Sequence, residues 1–148
     1  MPGILVGIDG SAHSQPALEW AAKEAAIRHT SLTVLTVHQA VASGWGGNTL
    51  YEGDEELTTK ARDAAQAETD KVLSGLQVRP ESVTVRAVHG IPAEEILNAG
   101  ADADMIVVGS RGSGGFARLL LGSVSSTVAE HAKVPVMILP AQPGSSKR

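Results

Sequence analysis

Residues 105–124 read MIVVGSRGSGGFARLLLGSV, an apolar run that breaks into glycine and serine and then resumes at Gly122-Ser123-Val124. Met105 to Val108 has the length and β-branched content of a strand buried on both faces. Gly109 to Gly115 follows as a glycine-rich loop, and Gly122 with Ser123 opens a helix through Val124, Val128 and Ala129. Glycines allow the backbone to approach a ligand without a Cβ, so that several amides converge on an anion. A helix start adds unpaired N–H groups and the positive end of a dipole. The stretch therefore predicts a strand–loop–helix junction suited to phosphate; a merely flexible loop with a Ser N-cap is the plainer alternative. It is not a GxxxxGK[ST] loop and lacks the Walker lysine.

The same grammar extends through the rest of the chain. Ile4 to Ile8 reads as a first strand, and Asp9-Gly10-Ser11 supplies turn and N-cap residues. Pro16, Ala17, Leu18, Trp20, Ala21, Ala25 and Ile27 give the spacing of a first helix with small residues toward a sheet. Leu32 to Val37 is a second strand, Gln39 to Gly53 a long loop, and Glu55 to Leu76 a largely solvated helix. Val83 to Val88 is a third strand, and a helix from Pro92 to about Ala101 precedes the strand at Met105. Val134 to Leu139 is the fifth strand. Four βα units closed by a strand predict a five-stranded, doubly wound parallel α/β sheet of order 3-2-1-4-5, with helices on both faces. One domain, residues 1–140, and a fraying tail, 141–148, account for the length.

Composition narrows the partners. A net charge of -4 with no basic run opposes phosphodiester backbones and anionic membranes. Aromatic residues are 3% of the chain, too few for a base-stacking platform. There is no cysteine, hence no disulfide or thiolate chemistry. No signal peptide or 18-residue apolar span is evident, so a cytoplasmic location is expected. Asp9, ending the first strand, lies where open sheets place ligand contacts; it is read as a ribose or metal contact or as a helix cap. Val37, ending the second strand, is read as a wall for a base or as core.

The motif Gly109, Gly112, nine residues, Gly122-Ser123 resembles that of the ATP-binding branch of the universal stress protein family. The opening ILVGIDGS and the segment GIPAEEI from Gly90 agree with it, so the resemblance covers nearly the whole chain. It implies ATP, with or without magnesium, as the cofactor. It implies adenine near Val37 and ribose near Asp9, Gly7 and Gly109. Phosphates would be held by amides of Ser110, Arg111, Gly112, Ser113, Gly114 and Gly115 and of Gly122, Ser123 and Val124. Arg111 and Arg118 add charge there or are simply solvated.

The catalytic inventory is thin. His13, His29, His38, His89 and His131 show no metal-ligand spacing, and no GxSxG elbow or suggestively spaced carboxylate pair occurs. His38, following the second strand, is the best placed of the five. A nucleotide-dependent stress-response module or sensor is therefore expected, with a slow ATPase or other nucleotide-processing enzyme as the alternative. The apolar strand Val134 to Leu139, at the sheet edge and only partly blunted by Pro135 and Pro140, predicts a homodimer.

Overall fold

The computed structural model describes residues 3–10, 14–38, 50–110 and 122–140, with 50–54 as backbone alone. Short β-branched runs separated by helix-forming segments give β1 (Ile4–Ile8), α1 (Gln15–Arg28), β2 (Ser31–His38), α2 (Leu50–Ser74) and β3 (Ser82–His89). α3 (Pro92–Ala99), β4 (Met105–Gly109), α4 (Ser123–His131) and β5 (Val136–Leu139) complete the described elements. All pairings are parallel, and the strand order is β3-β2-β1-β4-β5, as expected.

Alternation along the central strands divides the interior in two. Ile4, Val6 and Ile8 of β1 join Leu18, Ala21, Ala22 and Ala25 of α1 and Val72 and Leu73 of α2 in one cluster. Leu5 points the other way, to Leu35, Ala93 and Ile96 under α3 and Val128 of α4. Such period-two alternation with both faces apolar is what a parallel sheet covered on both sides requires. Gly7 belongs to the second face: a Cβ there would lie 2.7 Å from Ile96 Cδ1, so its glycine lets α3 close onto the sheet.

Element ends depart from the sequence reading in ways that have physical causes. β5 starts at Val136 rather than Val134, because Pro135 has no N–H for the ladder, although its carbonyl accepts from Ile106 N–H at 2.9 Å. α2 begins at Leu50, inside the stretch expected to be loop. Gly53 within it costs about 1 kcal/mol of helix propensity relative to alanine. Ile27, read as part of the sheet-facing pattern, is 70% exposed. α3 stops at Ala99, two residues short of the expectation, and Gly100 follows as its C-cap.

Candidate functional site

With this strand order the chain winds outward in opposite directions from β1 and β4, so the crevice at their carboxyl ends is the topological switch point. Two local devices build it. At the end of β4, Ser110 N–H donates to the Leu139 carbonyl at 2.7 Å, which ties the strand exit to β5. The Ser110 carbonyl in turn accepts from Gly122 N–H at 2.6 Å and from Ser125 Oγ at 3.4 Å. Twelve positions along the chain, α4 is thereby brought back onto the end of the strand that the glycine loop left.

Gly122 is the N-cap of α4, with φ -76° and ψ 172°, and among the described residues no side chain caps the helix. Its first turn carries no acidic residue. Ser123 is exposed, whereas Val124 packs against the cluster beneath α3 and α4. Ser125 Oγ also donates to the Gly122 carbonyl at 3.2 Å, so that the helix entry is fixed from within. A glycine N-cap with no side-chain acceptor leaves first-turn amides directed to whatever anion lies beyond the helix.

At the end of β1, Asp9 is exposed and Gly10 takes φ 83°, a left-handed conformation that turns the chain away from the sheet. Asp9 N–H donates to Ser14 Oγ at 3.5 Å, and Ser14, not Asp9, occupies the N-cap position of α1. Across from it, Glu68 on α2 has its carboxyl pushed above the usual range, first by burial and second by the Asp9 charge, with Lys71 opposing. The Asp9 edge is accordingly a region of negative potential that a hydroxyl donor or a cation would relieve.

Val37 lies near the end of β2, partly buried against the second cluster. Gly109 ends β4. Of the predicted site residues, Gly7, Asp9, Val37, Gly109, Ser110, Gly122, Ser123 and Val124 are therefore placed, with Gly7 facing Ile96. Arg111, Gly112, Ser113, Gly114, Gly115 and also Arg118 lie outside the described residues.

A pair that the sequence reading missed stands at the same edge. Register sets His38 opposite His89 at the ends of β2 and β3, with ring centroids 5.2 Å apart. His38 Nε2 is 2.7 Å from Thr58 Oγ1 of α2, and Gly90 N–H donates to the His38 carbonyl at 3.1 Å. Only the alignment of Ser31–His38 with Ser82–His89 reveals this proximity, since nothing in the spacing of two distant histidines announces it.

An open, doubly wound sheet with an uncapped helix start at its switch point defines a Rossmann-like α/β module. The chain belongs to the universal stress protein family, whose model matches residues 2–140. A universal stress protein of Mycolicibacterium smegmatis is 34% identical over 148 residues, covering 93% of this chain and 47% of the relative. One from Mycobacterium tuberculosis is 36% identical over 138 residues, covering 91% and 44%. The chain thus spans about half the length of the curated relatives it matches. Among solved structures, universal stress protein UspA from Lactobacillus plantarum superposes with a TM-score of 0.80 at 26% identity, covering 93% of this chain and 97% of that one. A universal stress protein in complex with cAMP gives a TM-score of 0.62 at 26% identity, covering 95% and 98%.

Proposed function

We propose that this chain is an ATP-binding universal stress module of the cytoplasm, in which nucleotide occupancy acts as the signal that a partner reads. The observation that supports this reading best is the Ser110–Gly122 hydrogen bond, which sets an uncapped helix start beside the end of β4. In this reading the α- to γ-phosphates lie against amides of Ser110 to Gly115 and of Gly122 to Val124. Ribose hydroxyls donate to Asp9, and the base lies toward Val37 with Gly109 beneath the sugar. Gly7 acts indirectly, by letting α3 pack closely under that floor. Magnesium, were it bound with the nucleotide, would find its carboxylate partner in Asp9 and would offset the negative potential of that edge. The cAMP complex of a relative with the same fold supports an adenine nucleotide as the class of ligand.

Freshly purified protein, denatured and analysed by chromatography, should release ATP in near-stoichiometric amount; protein saturable by no adenine nucleotide would remove the proposal. Steady turnover above about 1 per second would replace the signalling reading with that of an enzyme.

Asp9→Ala separates ligand contact from scaffold. Loss of hydrogen bonds to a charged acceptor is worth roughly tenfold to a hundredfold in affinity. Because Ser14 holds the N-cap position, the melting temperature should fall by less than about 3 °C. The same substitution should lower the Glu68 pKa, measurable by carboxyl NMR titration, since one of the charges raising it is gone. Intact affinity with a large thermal loss would make Asp9 a structural residue.

A further inference from the structure

We propose that His38 and His89 form a two-imidazole site for a divalent transition ion of the zinc, nickel and copper class. The two rings come from adjacent parallel strands at registered positions, so the sheet itself, not a loop, fixes their separation. Two imidazoles sharing one tetrahedral ion at metal–nitrogen distances of about 2.0–2.1 Å bring their ring centres to about 5 Å. The observed centroid separation of 5.2 Å meets that requirement with the rings inclined at 55°, an arrangement that does not stack them.

The second contact of His38 strengthens the case. A metal-bound imidazole is ordinarily held by an oxygen partner on its other nitrogen, which selects the tautomer and fixes the ring. Thr58 Oγ1, 2.7 Å from His38 Nε2, stands in that position. Donation from Nε2–H to this hydroxyl leaves the Nδ1 lone pair of His38 for the ion. His89 is exposed and His38 half-buried, so an ion can arrive from solvent and retain water on its remaining positions. The proposed site counts two protein ligands among the described residues, where no group of three or more His, Asp or Glu could hold an ion. Borderline ions that favour imidazole fit it, whereas magnesium, which demands oxygen ligands, does not. An acidic group close by favours a cation: a Cβ at Gly90, next to His89, would lie 2.6 Å from Glu95 Oε2.

The proposal is independent of nucleotide and is tested without it. Untagged protein stripped of nucleotide is titrated with Zn²⁺ by calorimetry, in two buffers of different ionisation enthalpy. One equivalent should bind in wild type, with proton release as the pH approaches the imidazole range. His38→Gln with His89→Gln should abolish this binding, and Thr58→Val should weaken it by about tenfold. Histidine side-chain NMR of the wild type gives a readout that needs no variant: the resonances of His38 and His89 should move with Zn²⁺ and stay in place with Mg²⁺. Equal zinc affinity in the wild type and the double variant, or unmoved resonances, would overturn the assignment. Should the double variant fail to fold, the exposed His89→Gln alone and the wild-type NMR still decide.

Discussion

Gly122→Val is expected to lower ATP affinity by at least about a hundredfold while the fold survives. The backbone of Gly122 sits at φ -76° and ψ 172°, an extended conformation open to β-branched residues. Its N–H is already engaged by the Ser110 carbonyl at 2.6 Å and stays so after substitution. Losing glycine at an N-cap costs at most about 1 kcal/mol, within what one domain tolerates. What changes is the space in front of the Ser123 and Val124 amides, where an isopropyl group would stand in the way of an incoming phosphate. Calorimetric titration alongside a thermal melt separates the outcomes. Unchanged affinity in a folded variant would place the phosphates elsewhere and sink the proposed site.

The second large effect concerns assembly. We expect the chain to sediment at about twice its mass of 15.2 kDa and the pair Val136→Lys, Ile138→Lys to return it to monomer. Among the described residues β5 ends the sheet and pairs with β4 alone, and all four of its residues remain partly exposed. Val136 and Ile138 lie toward the α3–α4 side, and Met137 and Leu139 toward the α1 side, so that apolar side chains flank this edge on both faces. A second copy across a two-fold axis would cover both. Circular dichroism establishes whether the lysine variant folds; Ile138→Lys alone is the milder substitute. Wild-type protein that stays monomeric at about 100 μM would exclude the interface, since weak specific association is micromolar.

The periodicity of the chain made the architecture legible because each strand is short, apolar and bounded by residues with one plain conformational meaning. That the sheet is parallel and covered on both faces followed from handedness, an argument that depends on no particular side chain. The helix start at Gly122 was legible for a similar reason: a glycine–serine pair after an apolar stretch can do little else. What escaped the reading depended on register or on competition between neighbours. Pro135 trims β5 through a missing donor, and α2 reaches back to Leu50 into a segment whose glycines read as loop. The close approach of Ile96 to Gly7 likewise shows only once α3 lies on the sheet. The approach of His38 to His89 exists only once β2 and β3 are aligned, and that of Glu68 to Asp9 only once α2 lies over the sheet.

The pairing of β1 with β4 also bears on biosynthesis. Ile4 lies beside Met105 and Val6 beside Val107, so the innermost seam of the sheet joins the first strand made to the fourth. While a ribosome is still producing residues up to that point, β1 can pair with β2 alone and stands as a bare apolar edge. Contacts of such long range form late and carry a large loop-closure cost. The crevice between Asp9 and Gly122 therefore comes into being only once β4 and the start of α4 have been made, and no nucleotide can act as a template for the earlier steps. Until then the outer side of β1 is exposed to pairing with the wrong neighbour.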